Sequence, residues 1–291
     1  MRFDLHTHTV HSDGTTTPAE NAVLAAASGL DGLALTDHDT VDGWDEARAA
    51  CADAGVAFVP GIELSTEDQG ASVHVLGYWV DPQDPALAEE CRRLRVTRTD
   101  RATAILGLLA DLGVVIDPAA VRSLAGSAPV GRPHIAQAMV DAGVVDSIDQ
   151  AFDRYLADGG PAWVVKHAVS PEKGVRLIRG AGGVAVLAHP GGHDDGDGRV
   201  GGVGVDLVDR LVTVGLAGLE AEHAGHAPGT VSYWRRVAAE RGLVVTGSSD
   251  FHGARKGVQL GASTTSGEAV DALRGLRAVV AADAAERRES W

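Results

Sequence analysis

Residues 2–8, Arg2-Phe3-Asp4-Leu5-His6-Thr7-His8, open the chain with a short apolar run that stops in a His-x-His pair. Alternation along a strand puts both imidazoles on one face. The same kind of ending recurs. Thr36-Asp37-His38-Asp39 closes the run from Gly32, Gly61-Ile62-Glu63-Leu64 follows Val56–Val59, and Ser249-Asp250-Phe251-His252 follows Leu243–Gly247, repeating the i, i+2 spacing. His74 lies in the apolar run 73–80, His189 ends the run 184–188, and Asp13 sits in the turn Ser12-Asp13-Gly14. Each motif has a bland reading by itself: an unliganded His pair, a Glu bridged to an Arg, a satisfied core His, a turn-forming Asp. Together they place nine donors, His6, His8, Asp13, His38, Glu63, His74, His189, Asp250 and His252, at or near six predicted strand ends. Strands that alternate with helices form a parallel α/β sheet, and a barrel of them gathers its functional groups at the C-terminal rim. Imidazole and carboxylate in that pattern predict a metal cluster.

Working outward, Thr17-Pro18-Ala19-Glu20 supplies an N-cap, a first-turn Pro and a capping-box Glu. Alternation breaks near Pro82. Apolar residues then recur at helical spacing through Leu94, Ala102, Ile105, Leu109 and Leu112, with further helices opened at Asp117-Pro118, from Pro133 to Ala142 and from Ser147 to Leu156. Alternation resumes after Gly160, with a helix opened by Ser170-Pro171. The expected layout is an α/β barrel of about seven β/α units, residues 1–81 and 161–291, interrupted by a small helical subdomain at 82–160. The run Gly191-Gly192-His193-Asp194-Asp195-Gly196-Asp197-Gly198 is expected to be a solvated, mobile loop over the mouth, since it lacks calcium-loop spacing.

The chain of 291 residues is long enough for a sizeable core, and with 45% hydrophobic but only 4% aromatic residues that core must be aliphatic. A net charge of −15 argues against broad binding to duplex nucleic acid, while leaving room for a local anion pocket. Cys51 and Cys91 fall in no paired motif and read as packing groups in a reducing, cytoplasmic setting. No segment reads as a signal peptide or membrane span, and a cleaved leader would remove the donors that begin at His6.

The ordered set DLHTHTVHSDG, TDHD, GIEL, HVLGY, AHP and GSSDFHG resembles the PHP (polymerase and histidinol phosphatase) family of metal-dependent phosphoesterases over nearly the whole chain. The resemblance implies a distorted (β/α)7 PHP barrel holding two or three divalent ions, with Mn expected and Zn, Fe or Mg also suited to such donors. Carried over by position, it implies that His6, His8, Glu63 and Asp250 hold one ion, that Glu63 bridges to a second on His74 and His189, and that Asp13, His38 and His252 hold a third. Many members have a His near position 13, and the Asp here resembles one branch.

Within the helical segment, Gly131-Arg132-Pro133-His134-Ile135-Ala136 is similar to the GRPH string of members that act on nucleotides. This implies removal of the 3′-phosphate from nucleoside 3′,5′-bisphosphates, and degradation of short 5′-phosphorylated RNA. Arg132 and His134, at a predicted helix N-terminus, are the substrate-binding candidates. Arg95, Arg98 and Arg101 share one helix face, read as solvated or as a funnel for an oligonucleotide. Lys166, His167 and Lys256 are further basic candidates, while His223 and His226 read as rim residues. The expected chemistry is in-line attack by an activated water, with Glu63 and Asp250 as catalytic residues. The rival readings are a histidinol-phosphatase-like phosphomonoesterase, an amidohydrolase barrel bridged by a modified Lys, and a non-catalytic PHP binding module.

Overall fold

The computed structural model describes residues 1–126, 130–157, 159–164, 169–192 and 202–289. Residues 193–198 of the Gly/Asp-rich run, and Lys166 and His167, lie outside the described residues. Eight strands form one sheet in the order β7-β6-β5-β4-β3-β2-β1-β8. They are β1 (Arg2–Asp4), β2 (Gly32–Leu35), β3 (Ala57–Asp68), β4 (Ala71–Tyr78), β5 (Val184–Leu187), β6 (Gly218–His223), β7 (Val244–Ser248) and β8 (Thr265–Ser266). The helices are α1 (Pro18–Ala27), α2 (Trp44–Ala54), α3 (Pro85–Asp111), α4 (Pro118–Ala125), α5 (Arg132–Asp141), α6 (Ile148–Ala151), α7 (Pro171–Gly180), α8 (Val205–Thr213), α9 (Pro228–Glu240) and α10 (Gly267–Glu289).

The sheet curls into a nearly closed barrel. The two-residue β8 pairs with β1 on one side, Phe3 opposite Thr265. On the other, Thr265 Oγ1 accepts from Gly247 N at 2.9 Å. Beyond the end of β1 the seam is stitched directly, His8 N donating to Phe251 O at 2.8 Å and Phe251 N to His6 O at 3.3 Å. This seam interleaves the His6–His8 segment with the Asp250–His252 segment.

One strand departs from the expected alternation. β4 runs antiparallel to both β3 and β5, whereas β1–β3 and β5–β7 are parallel sets. The reason is the two-residue turn Gln69-Gly70, with φ +52° and +87°, the left-handed pair that a tight hairpin requires. In consequence β3 does not stop near Glu63 but continues to Asp68. A second departure is the predicted helix 147–156, which is α6 followed by a π-helical turn, Phe152–Leu156.

Period-two alternation sorts the apolar residues. Val59, Leu76, Tyr78, Val184 and Val186 meet Phe3, Leu5 and Ala34 inside the barrel. Ile62, Leu64, Val73, Val75, Ala185 and Leu187 point outward, against Val175 and Ile178 of α7, Leu207 and Leu211 of α8, and Trp234 of α9. Helix α10 contacts β1, β5, β7 and β8 from the end where β1 begins, its Val270 and Leu273 completing the inner cluster. Thr17 caps α1 with the full reciprocal box, its hydroxyl accepting from Glu20 N and its own N donating to Glu20 Oε2 at 2.7 Å.

Helix α3 spans two cores. Leu87, Cys91 and Leu94 belong to the outer barrel layer. Ala102, Ile105 and Leu109 belong to a separate cluster with Val121, Ile135, Met139, Leu156 and Ala162. Cys51 and Cys91 are free and buried, and burial pushes their thiols up to about 11 and about 12. No described helix is long and apolar enough to cross a membrane.

Candidate metal centre

Strand parity decides which side chains reach the mouth. Ile62 and Leu64 face the helices, so Glu63 faces the barrel interior, and Val73 and Val75 outside put His74 inside. His74 lies early in β4, yet it reaches the same rim as the ends of the parallel strands, because β4 runs the other way and pairs His74 with Ser65. His38 follows β2 and makes an isolated parallel bridge to Glu63. Asp39, His189 and Asp250 adopt left-handed backbone, with φ +56°, +26° and +53°. Asp250 therefore reaches the centre by a backbone reversal rather than by strand alternation. Such strain at a barrel rim persists only where the surroundings hold it, and functional rims are where it collects.

All nine predicted donors converge. Glu63, only 1% exposed, is the hub. Its Oε2 lies 3.2 Å from His6 Nε2, 3.1 Å from His8 Nε2 and 3.1 Å from His38 Nδ1. Its Oε1 lies 2.8 Å from His74 Nδ1 and 3.3 Å from His189 Nε2. Asp250 Oδ1 lies 3.4 Å from His6 Nε2 and 3.2 Å from His8 Nε2. Asp13 Oδ1 is 3.3 Å from His252 Nε2, and its Oδ2 is 3.8 Å from His38 Nε2. Three overlapping groups are close enough to share an ion: His6, His8 and Asp250; His38, Glu63 and His74; His8, Asp13, His38 and His252.

The donors also fit cations chemically. His6 Nε2, His8 Nε2 and His38 Nδ1 are buried and make no hydrogen bond among the described residues, although each lies near a carboxylate oxygen. Leaving such nitrogens unpaired is costly, and a divalent cation would satisfy all three. Burial lowers the His6 and His8 imidazoles, but the carboxylates outweigh it: Glu63, Glu220 and Asp250 raise His6 well above its usual range, and Asp250 and Glu63 raise His8 to about 9. Burial likewise pushes Glu63, Asp13 and Asp250 up, but the surrounding imidazoles, with Lys256 beside Asp250, hold all three well below the usual carboxylate range. Without a metal, protons on His6 and His8 thus take the place of cationic charge.

The PHP domain family matches residues 4–108, the stretch that carries His6 through His74. Over 260 residues, 88% of each chain, the sequence is 36% identical to the 3′,5′-nucleoside bisphosphate phosphatase of Chromobacterium violaceum. The chain belongs to the PHP family. It is also 32% identical over 251 residues to the 5′-3′ exoribonuclease of Haemophilus influenzae, covering 86% of this chain and 90% of that one. A crystal structure of a Bifidobacterium adolescentis protein assigned as a metal-dependent phosphoesterase superposes with a TM-score of 0.87 at 32% identity, covering 94% of this chain and 96% of that one.

Behind the PHP donors lies a set of buried acids, Glu220, Asp4 and Asp37, none of them among the nine predicted donors. Glu220, 1% exposed, accepts from His6 Nδ1 at 3.2 Å, from His189 N at 2.9 Å and from the Ser248 hydroxyl. When His6 is neutral, as ligation requires, this bond keeps its proton on Nδ1 and turns the Nε2 lone pair to the centre. A period-two signal pointed to it, since Leu219 and Ala221 are both outward core residues. His252 is set likewise, its Nδ1 donating to Asp250 O at 2.8 Å. Asp4 accepts from Ser249 N at 3.1 Å, Ser249 Oγ at 2.5 Å and Gly261 N at 2.8 Å; burial outweighs these bonds and raises its carboxyl to about 6. Asp37 orients the neighbouring loop, accepting from Thr9 N, Thr9 Oγ1 and Ser12 Oγ at 2.8, 2.6 and 2.5 Å. Lys256 Nζ and His223 Nε2 approach Asp250 Oδ2 at 2.5 and 3.5 Å, leaving Oδ1 to the centre.

The basic candidates divide. Arg95 Nη1 donates to Asp39 O at 2.7 Å, and Arg98 Nη2 to Asp39 Oδ2 and Ser65 Oγ, both at 2.7 Å. Arg101 Nε donates to Val164 O at 2.7 Å. That helix face is an anchor between α3 and its neighbours rather than a solvated face. Arg132 turns into the helical segment, Nη1 donating to Leu156 O at 2.9 Å and its guanidinium carbon 5.6 Å from the Phe152 ring centroid. His134 is buried and caps its own helix, Nδ1 accepting from Gly131 N at 3.0 Å. Burial, with the Arg255 charge next, lowers it to about 4.

Proposed function

We propose that this chain is a metal-dependent phosphoesterase that hydrolyses nucleotide phosphoesters, releasing the 3′-phosphate of nucleoside 3′,5′-bisphosphates and also acting on short 5′-phosphorylated RNA. One observation carries the reading: three overlapping donor groups meet around buried, unbonded imidazole nitrogens, in a chain 36% identical to a nucleoside bisphosphate phosphatase. In this reading His6, His8, Glu63 and Asp250 would hold one ion, Glu63, His74 and His189 a second, and Asp13, His38 and His252 a third. Mn is the proposed metal. Divalent ions bound there would supply an activated water and would offset charge on the phosphoryl oxygens. Glu63 keeps the imidazoles converged on one point. Asp250, with Oδ2 held by Lys256, offers Oδ1 to orient the attacking water. Glu220 and the Asp250 carbonyl hold protons on the outer nitrogens of His6 and His252, leaving the inner nitrogens as donors.

The segment 82–160 is read as a subdomain that carries the nucleotide side of the site, with His134 toward substrate and Arg132 fixing the start of α5. Its separate apolar cluster supports this. The charge of −15 favours a nucleotide or short oligoribonucleotide over duplex nucleic acid, and two free cysteines fit a reducing cytoplasm.

The test is one assay panel: adenosine 3′,5′-bisphosphate, short 5′-phosphorylated RNA and histidinol phosphate, each with Mn²⁺ and with chelator. Turnover of the bisphosphate that chelator abolishes is expected. Turnover of histidinol phosphate alone would move the assignment to the phosphomonoesterase alternative.

A further inference from the structure

Arg255 follows the donor His252 in a short 3₁₀ turn, and its Nε and Nη1 are buried with no hydrogen-bond partner among the described residues. A guanidinium is always charged, so burying two of its nitrogens without an acceptor is costly unless an anion arrives. The turn is firmly set: Ala254 N donates to Thr15 Oγ1 at 2.9 Å, and Thr15 N to His252 O at 3.1 Å. Arg255 lines a cleft of about 360 Å³ with Val10, Gly14 and Thr15, next in sequence to the donor Asp13, and with Leu124, Gln137 and Asp141 of the helical segment. Arg255 itself lies three residues after the donor His252, and Gln137 belongs to α5, the helix that the GRPH string opens.

His134 is close enough to Arg255 that, after burial, the Arg255 charge is the next influence that keeps its imidazole neutral. With Nδ1 accepting from Gly131 N, the neutral ring carries its proton on Nε2 and is a donor there. Asp13 is the acid that favours the Arg255 charge, but it makes no hydrogen bond to the buried nitrogens. An anion held by Arg255 and His134 would lie beside the centre, and a nucleoside bisphosphate presents a second phosphate next to the one being hydrolysed.

We propose that Arg255, with His134, receives the phosphate of the substrate that is not hydrolysed, and so makes the enzyme specific for doubly phosphorylated nucleotides. The inference rests on the nucleotide reading above. It assigns the clamp to Arg255, whereas Arg132 is occupied with Leu156 and Phe152.

The experiment compares wild type and Arg255→Met on adenosine 3′,5′-bisphosphate and on adenosine 3′-monophosphate, which lacks the second phosphate. Binding of adenosine 5′-monophosphate to the metal-loaded protein is read in parallel by calorimetry. For Arg255→Met, kcat/KM on the bisphosphate should fall about 30- to 100-fold, the range for losing a charged hydrogen-bond partner, with less than about threefold loss on the monophosphate. The 5′-monophosphate Kd should rise by about tenfold or more. Equal loss on both substrates, or no loss on the bisphosphate with unchanged binding, overturns the assignment. If wild type turns over neither nucleotide, the functional reading falls, and the binding arm alone decides whether Arg255 is an anion site. Should Arg255→Met fail to fold, Arg255→Lys carries the same comparison, with a selective loss of about tenfold expected and an unselective one overturning the proposal.

Discussion

At the scale of single residues, Glu220 decides how His6 presents itself, because one carboxylate holds His6 Nδ1, His189 N and the Ser248 hydroxyl. Replacing it by Gln keeps the volume but removes the charge that sets the tautomer. Glu220→Gln is therefore expected to weaken metal binding about 10- to 100-fold, measured by metal titration, with unchanged circular dichroism; unchanged affinity would remove Glu220 from the account. The pH dependence follows from His6 and His8. Both are raised, His8 to about 9, so at neutral pH the metal-free protein holds protons where a cation would sit. Ligation needs neutral imidazole, so metal binding should release protons near pH 7, and apparent affinity should rise with pH until about 9. Calorimetry in two buffers of different ionisation enthalpy reads the release, and zero release would contradict it. The nine donors were legible as acids and imidazoles ending apolar runs. Glu220 was not, because Glu220-Ala221-Glu222-His223 looks like a solvated strand end, and only the flanking Leu219 and Ala221 show that this Glu faces inward.

At the scale of elements, the direction of β4 was hidden. An apolar run such as Val73–Val80 carries no arrow, and only Gln69-Gly70 signals the reversal. His74 reaches the rim for that reason, by a route the parallel reading did not contain. The arginines of α3 show the opposite difficulty. Their spacing was readable, but their partners, the Asp39 turn and Ser65, come together only in the folded chain. Arg98→Ala leaves buried Asp39 short of a charged partner and should cost about 2–3 kcal/mol. Thermal or urea denaturation measures that loss, and a change below about 0.5 kcal/mol would show that α3 is held by packing alone.

At the scale of the whole molecule, the centre ties together the ends of β1, β2, β5 and β7 with the inner faces of β3 and β4. Ions bound there belong to the folded state only, so they stabilise it by mass action, about 2.7 kcal/mol at a hundredfold excess over Kd. Stripping the metal should lower Tm by roughly 5–10 °C, with recovery on adding Mn²⁺. The barrel class was readable because strand ends and chemistry coincide, whereas closure by the two-residue β8 leaves almost no signal in sequence. The most direct test of the central claim is phosphate release from adenosine 3′,5′-bisphosphate by protein of known metal content, before and after chelation and after Mn²⁺ is restored. The expected result is turnover that tracks bound metal, vanishing and returning with it. Equal turnover by metal-free protein would contradict the account.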